Sequence, residues 1–297
     1  NLPGASPETM ATSVAQPLER QFAQIPGVAQ MTSTSYLGTA AVTIQFDLNR
    51  NIDGAANDVQ VTVKDSSVDL VVNGEPEVSI FLSHLHHDHI EGLRFFAPVY
   101  SPEWRCHIYG SGSGPQTLQR ILARLMSPRF FPVTLAQLPA RLHIRSLSKR
   151  AHVRFDGARP AVVTARYSGA HPKVGVLLYR VSCCGRSVVY ATDVEAPKGG
   201  HDDVVAFAAG ADVLIHDAQY NDHEYHGGHL NKAGWGHSTV RMAAEAARDA
   251  DVGELILYHH DPEHDDAEVR RMEQVARIIF PRSRAAFEGM ELTLLPA

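Results

Sequence analysis

Residues 83–92 read SHLHHDHIEG, and this stretch carries a dense set of possible metal ligands: His84, His86, Asp88 and His89. Imidazole and carboxylate groups bind borderline-hard divalent metal ions. The stretch follows the apolar run VSIFL, and a loop after a strand lets neighbouring side chains converge. Four such residues exceed the needs of one tetrahedral ion that also takes distant ligands, so they suit two ions about 3.5–4 Å apart. Without metal or solvent the cluster would be unfavourable.

Three further ligand types follow later apolar runs. His171 comes after AVVTARYSGA, Asp193 after SVVYAT and His259 after ELILY. Sites on α/β sheets tend to lie in such loops. A surface loop histidine remains the alternative for His171. His260 is the alternative to His259, and the position directly after the strand favours His259.

The chain from about residue 65 has an α/β pattern in which helices cover the faces of sheets. Apolar runs predict strands at 78–82, 161–166, 174–181, 187–191, 212–216 and 254–259. Periodicity predicts helices at 115–126, 201–209, 238–250 and 265–279, the third of them capped by Ser238 or Thr239. The basic stretch RLHIRSLSKRAHVR at 141–154 is either a small phosphate-facing patch or, as we favour, a solvated strand face.

Composition excludes several classes of protein. The 297 residues carry a formal charge of −6, which argues against a chain that binds nucleic acid by its overall charge. The three cysteines imply no disulfide framework, which fits a reducing cytoplasm. No apolar run approaches the roughly 20 residues of a membrane span, and no signal peptide opens the chain. We therefore expect a cytoplasmic protein with no membrane association.

The motif HLHHDH, the later His171, the ATD at 191–193 and the late His259 resemble the ordered motifs of the metallo-β-lactamase fold superfamily. The resemblance runs from about residue 78 to 297 and implies an αββα sandwich with two divalent metal ions. It implies that a hydroxide between the ions is the nucleophile. It assigns His84, His86 and His171 to one ion, Asp88, His89 and His259 to the second, and Asp193 to both.

Two more motifs, LIHDAQY at 214–220 and GWGHST at 234–239, resemble the phosphodiesterase branch of that superfamily, which includes tRNase Z. There an acidic residue orients a histidine that protonates the leaving oxygen. The matching residues are Asp217 and His237, and with Asp88 they form the predicted catalytic set. tRNase Z has Glu at the position of Asp217. The alternative is that Asp217 closes a turn and His237 caps the next helix.

The N-terminal part is of a different kind. Residues 1–60 resemble the first porter subdomain of resistance-nodulation-division efflux pumps. Here we predict a helix near 7–24, entered through Ser6 and Pro7, a strand pair at 30–37 and 40–48 turned at Gly38–Thr39, and a helix at 53–63. We expect two domains, an efflux-porter-like fragment at 1–64 and a hydrolase domain at 65–297.

The N-terminal strands usual in the metallo-β-lactamase superfamily are replaced by this pump-like segment. Its strands either form an appendage, cover the exposed edge of the sheet, or pair across a homodimer.

These observations predict a binuclear metal-dependent hydrolase, and we favour a phosphodiesterase with a small phosphoester substrate. Promiscuity toward phosphotriesters or other esters is a further expectation. Zinc is favoured, and manganese and iron also suit histidine and aspartate ligands. Two alternatives remain open: a β-lactamase or other acyl hydrolase of the same fold, and a chimera that binds metal without efficient activity. Nucleic acid is disfavoured as a partner.

Overall fold

The computed structural model describes residues 6–11, 15–16, 19, 22–23, 25, 28–36, 39–46, 76–112, 117–157, 159–227 and 230–295. The chain divides into two compact units, Asn1–Gly74 and Glu75–Ala297. None of the helices within these described ranges is long and apolar enough to cross a bilayer.

Among its described residues, the smaller unit contains a short helix and a pair of antiparallel strands. Helix α1 spans Pro7–Met10, so the predicted helix start at Pro7 is confirmed, although many positions up to 24 lie outside the described residues. Strands β1 (Val28–Tyr36) and β2 (Thr39–Phe46) form an antiparallel sheet of their own. Tyr36 pairs with Thr39, so Thr39 belongs to a strand and not to the predicted turn. The helix predicted at 53–63 lies outside the described residues.

The larger unit contains two sheets. The first is a parallel sheet in the order β3-β4-β5, formed by β3 (Glu77–Phe81), β4 (Arg105–Ser111) and β5 (Arg141–Leu147). The second sheet has the order β12-β11-β10-β9-β8-β7-β6. Its strands are β6 (Arg150–Phe155), β7 (Ala161–Ser168), β8 (Val176–Cys183), β9 (Arg186–Ala191), β10 (Val213–Asp217), β11 (Glu254–Tyr258) and β12 (Ser283–Ala285).

Helices connect many of the strands of the larger unit. The α-helices are α2 (His87–Ile90), α3 (Thr117–Leu125), α4 (Gly200–Ala208), α5 (Asp222–His226), α6 (Val240–Asp249) and α7 (Asp266–Ile279). Short 3₁₀ helices span Glu91–Phe95, Ala97–Tyr100, Leu135–Gln137 and Ala196–Lys198. Helix α6 begins after Thr239, whose side chain accepts a hydrogen bond from the backbone N–H of Met242.

Three buried clusters hold these layers together. One joins the seven-stranded sheet to α4, α6 and α7 through residues such as Leu214 and Ala244. Another joins the three-stranded sheet to α3 through residues such as Ile108 and Leu122. The third lies between the sheets, where Tyr109 packs with residues of β7 and β8. The layers therefore run helix, sheet, sheet, helix, and the predicted αββα sandwich is confirmed.

All six strands and four helices predicted beyond residue 65 are present, with ends that shift by a few residues. The sequence interpretation missed β4 and β12 altogether. Strands β5 and β6 expose every second residue, as predicted for a solvated strand face at 141–154, and Lys149 lies in the turn between the two strands. The predicted ligands follow the C-terminal ends of β3, β7, β9 and β11, and the predicted catalytic residue Asp217 ends β10.

Candidate metal centre

Seven predicted ligands lie at one rim of the sandwich, five of them in loops and two, Asp88 and His89, in the short helix α2. Loops that directly follow strands bring these side chains to the rim, because parallel strands end at the same edge of a sheet. After β3 come His84, His86, Asp88 and His89, between β7 and β8 lies His171, after β9 Asp193, and after β11 His259.

The first group of ligands is His84, His86 and His171, whose ligand atoms lie within 4.8 Å of one another. The Nε2 atom of His171 is 3.1 Å from the Nδ1 atom of His86. Two nitrogens on one tetrahedral zinc, each about 2.0–2.1 Å from the metal, lie roughly 3.3 Å apart. The observed approach of the two rings therefore matches a shared ion.

The orientation of His171 is set by a backbone contact. Its Nδ1–H donates to the carbonyl oxygen of Gly236 at 3.1 Å, because a carbonyl only accepts. This fixes the neutral tautomer whose Nε2 lone pair faces the cluster. Gly236 has a φ of +100°, and a Cβ there would lie 2.3 Å from Nδ1 of His171, so this contact requires glycine.

The second group is Asp88, His89 and His259. Oδ2 of Asp88 lies 3.1 Å from Nε2 of His89 and 3.7 Å from Nε2 of His259. The two imidazole rings stack at 5.3 Å between centroids. The Asp88 side chain is 64% exposed, so this side of the cluster opens to solvent.

Asp193 lies between the two groups. Its Oδ1 is 3.7 Å from Nε2 of both His84 and His259, and its Oδ2 is 3.3 Å from Nε2 of His89. Both Asp193 (φ +55°) and His259 (φ +62°) adopt the left-handed backbone region. Such strain persists at functional sites because the surrounding structure over-determines it. Here it turns each side chain back across the end of its strand.

Burial and neighbouring charges shift His84 and Asp193 toward the protonation states that bind metals. Burial, together with three neighbouring histidines, lowers the pKa of His84 to about 3, against an opposing effect of Asp193. Burial alone would raise the pKa of the Asp193 carboxyl, but the nearby imidazoles of His89 and His259 lower it well below its ordinary range. A neutral imidazole and an ionised carboxylate result.

Unsatisfied ring nitrogens test whether a metal fits this cluster. Among the residues that the structure describes, Nε2 of His84 and Nε2 of His89 are buried and lack a hydrogen-bond partner. Buried polar atoms without a partner are unusual and call for an unseen ligand. Both atoms belong to the group that includes Asp193, so the cluster suits divalent metal ions.

Asp217 and His237 lie beside the ligands. Oδ2 of Asp217 accepts hydrogen bonds from Nδ1–H of His237 at 2.9 Å and from the backbone N–H of Asp193 at 3.1 Å. Oδ1 accepts from the backbone N–H of Ser238 at 2.9 Å. Asp217 is near enough to be a ligand with Asp193, His237 and His259, but its oxygens are already occupied by these donors. It therefore positions its neighbours.

His237 faces the cluster. Its ring stacks on His259 at 5.1 Å, and its Nδ1 is 3.8 Å from Oδ1 of Asp193. Burial lowers the pKa of His237, but the hydrogen bond and charge of Asp217 outweigh burial and raise it. With Nδ1–H donated to Asp217, the Nε2 nitrogen of His237 is the ring atom that can exchange a proton with another group.

The structure bears on the alternative roles considered for Asp217 and His237 and on the choice between His259 and His260. Asp217 does close a turn, since its Oδ1 also accepts from the backbone N–H of Gln219 at 3.3 Å. His237 does not cap α6, because Thr239 does. The structure brings His259, and not His260, into the groups of ligand atoms.

The sequence interpretation missed Glu195. This fully buried side chain accepts hydrogen bonds from the Tyr225 hydroxyl at 2.6 Å and from the backbone N–H groups of Gly234 at 2.5 Å and Gly236 at 2.9 Å. It thus holds the loop that supplies both His237 and the carbonyl that orients His171. Its position two residues after Asp193 is the one signal in the sequence.

Comparison with known proteins divides the chain in two. The pattern of the AcrB/AcrD/AcrF family matches residues 1–86, and that of the Beta-lactamase superfamily domain matches residues 70–260. Multidrug resistance protein MdtC from Yersinia pseudotuberculosis and from Yersinia pestis is 54% identical over 76 residues. The match covers 26% of this chain and only 7% of the MdtC proteins, so the first part is a fragment that resembles an efflux pump.

Solved structures resemble most of the chain. The metallo-beta-lactamase fold protein YhfI from Bacillus subtilis has a TM-score of 0.52 at 20% identity, covering 78% of this chain and 82% of its own. Yeast PDE1 has a TM-score of 0.55 at 14% identity, covering 92% and 86%. These likenesses establish the metallo-β-lactamase fold.

Proposed function

This chain belongs to the Beta-lactamase superfamily domain family. On that premise we propose that it is a binuclear metal-dependent hydrolase that cleaves phosphodiesters. The observation that carries the proposal is the pair of Asp217 and His237, joined at 2.9 Å beside the ligand cluster. Every ligand and both members of the pair lie beyond residue 65, so we assign hydrolysis to residues 65–297.

In this proposal His84, His86 and His171 hold one ion and Asp88, His89 and His259 hold the other. Asp193 lies between the groups and contributes to both. When bound, the ions supply Lewis acidity toward the phosphoryl oxygens and make water acidic enough to attack at neutral pH. Zinc suits this set of nitrogen and oxygen donors, and manganese or iron would be accepted by the same residues.

Asp217 and His237 together supply the proton that the leaving oxygen needs and that the metal ions do not provide. An alkoxide is a poor leaving group at neutral pH, so the oxygen that departs from phosphorus needs a proton. His237 holds that proton at Nε2, since Nδ1–H is donated to Asp217. Asp217 keeps the ring in place and favours its protonated form, as the raised pKa of His237 indicates. The proton then moves from Nε2 to the leaving oxygen as the P–O bond breaks.

The test uses bis(p-nitrophenyl) phosphate and a chromogenic β-lactam with metal-stripped protein, before and after zinc or manganese is restored. We expect diester hydrolysis that returns only with metal. Turnover of the β-lactam alone would overturn the phosphodiesterase proposal and leave the acyl hydrolase alternative. Turnover of neither substrate by protein that has bound two equivalents of metal would favour a metal-binding chimera.

A further inference from the structure

A cavity of about 540 Å³ lies at the same rim of the sandwich as the metal centre. Leu85, Leu147 and Leu177 are among its apolar lining residues, and Lys149 and Lys173 line it with charge. We call it the lysine pocket. Both lysines are exposed, and among the described residues neither forms an ion pair with a carboxylate. Within the described part of the chain, the pocket therefore offers two positive charges that no carboxylate pairs with, above an apolar floor.

The topology places the lysine pocket beside the ligands. Strands β3, β4 and β5 are parallel and in register, so their C-terminal ends lie at one edge. The loop after β3 carries His84 and His86, and the turn after β5 carries Lys149. Adjacent strands are about 4.8 Å apart, so the two loops are separated by roughly 10 Å.

Two contacts join the walls of the pocket to the ligand loops. The backbone N–H of Gly175 donates to the carbonyl of His171 at 3.0 Å, closing the turn that also carries Lys173. The backbone N–H of Leu177 donates to the carbonyl of Ser83 at 2.8 Å, directly before His84. Backbone hydrogen bonds therefore connect the pocket directly to the segments that carry His171 and His84.

Backbone contacts and turn geometry fix the positions of Lys149 and Lys173. The carbonyl of Lys149 accepts a hydrogen bond from the backbone N–H of Tyr167 at 2.8 Å, and its Nζ lies 5.4 Å from the centre of that ring. Lys173 has a φ of +67° in the turn after His171. Gly175 lets that turn pass the ring, because a Cβ there would lie 2.2 Å from the Tyr167 hydroxyl.

We propose that the lysine pocket binds a second anionic group on a phosphodiester substrate, carried by the alcohol that stays on phosphorus. Two cations suit a carboxylate or a phosphate, and the apolar floor suits the hydrocarbon that links it to the ester. The order of the strands places the lysine pocket and His237 on different sides of the metal centre. The pocket lies at the ends of β5, β7 and β8, whereas His237 is held by β10, where the leaving oxygen departs. This proposal rests on the proposed phosphodiesterase function.

The test compares two diesters with the same leaving group, p-nitrophenyl 4-carboxybutyl phosphate and its neutral analogue, p-nitrophenyl 4-carbamoylbutyl phosphate. We expect kcat/KM to be about tenfold higher for the carboxylate, and the preference to shrink in 0.5 M salt because exposed charges are screened. Each of Lys149→Met and Lys173→Met should lower the ratio about threefold, and the double variant should bring it near one. Arg150→Met, which removes an exposed charge next to Lys149, should keep the ratio.

Equal kcat/KM for the two diesters in the wild-type protein would overturn the pocket proposal while the phosphodiesterase proposal stood. If neither diester is hydrolysed, the phosphodiesterase proposal fails, and calorimetric titration of 4-carboxybutyl phosphate and 4-carbamoylbutyl phosphate decides the pocket. Tighter binding of the carboxylate that the double lysine variant loses would support it. Equal binding of the two ligands, or a preference that the variant retains, would refute it.

Discussion

Replacing Glu195 with Gln tests whether a buried carboxylate outside the ligand set controls metal binding. The amide oxygen of Gln can still accept from the Tyr225 hydroxyl and from Gly234. Its NH₂ group would then face the backbone N–H of Gly236, which now donates to Oε2 at 2.9 Å. Two donors in contact cannot pair, so one buried N–H is left without an acceptor.

The magnitude follows from that single contact. A hydrogen bond to a charged group contributes about 1.5–3 kcal/mol. In a unit of this size each kcal/mol shifts the melting temperature by roughly 2–4 °C, so we expect a fall of roughly 3–12 °C. Because the carbonyl of Gly236 orients His171, we also expect metal affinity to fall about 10- to 100-fold, the usual effect of losing an outer hydrogen bond to a ligand.

The assay pairs thermal unfolding with metal competition against a chromophoric chelator. Tyr225→Phe is the matched control, since it removes another hydrogen bond of Glu195, at 2.6 Å, without touching Gly236. It should lower the melting temperature and leave metal affinity within about twofold of wild type. Wild-type affinity in Glu195→Gln, or an equal loss in both variants, would refute the positioning role.

Three other predictions concern the acid, a ligand and a surface ion pair. His237→Ala should slow hydrolysis of alkyl diesters about 10²- to 10⁴-fold and that of nitrophenyl diesters far less; an equal loss on both would exclude it as the acid. His259→Ala should lose one of two bound metal equivalents by elemental analysis, whereas His260→Ala should keep both, and the reverse result would reassign the ligand. The backbone N–H of Ser187 and the Arg186 guanidinium lower the pKa of Asp212, so Asp212→Asn should lower the melting temperature at pH 7. That difference should shrink as the pH falls below about 4, where the unfolded chain takes up the proton, and it should close only below the lowered pKa of the folded carboxyl; a gap that does not shrink in acid would contradict it.

The candidate metal ligands could be predicted from the sequence because they lie in the segments that follow apolar strands. His84, Asp193 and His259 can be located by the runs before them without any knowledge of tertiary contacts. The buried strands and helices were predicted for the same reason. In contrast, β4 (RCHIYGS) mixes arginine and histidine with apolar residues, and its apolar face is completed only by α3. The residues of β4 alone do not reveal that α3 packs against it.

Glu195 was missed for a different reason. Its hydrogen-bond partners lie 30, 39 and 41 positions further along the chain, at Tyr225, Gly234 and Gly236. No spacing rule connects an acidic residue to backbone N–H groups at such a distance. Its burial, and hence its importance, arises only when the loop after α5 folds back over the end of β9.

The two buried carboxylates, Glu195 and Asp217, position different residues of the metal centre. Glu195 fixes Gly236 and through it the tautomer of His171, while Asp217 fixes both His237 and the backbone N–H of Asp193 at 3.1 Å. Substitution of Asp217 would therefore disturb a ligand and the proposed acid together, and loss of activity would not separate the two roles. His237 orients no ligand by a hydrogen bond of its own, although it stacks on His259. The leaving-group dependence of His237→Ala, measured with metal content held at wild-type level, is for this reason the experiment that isolates proton donation from metal binding.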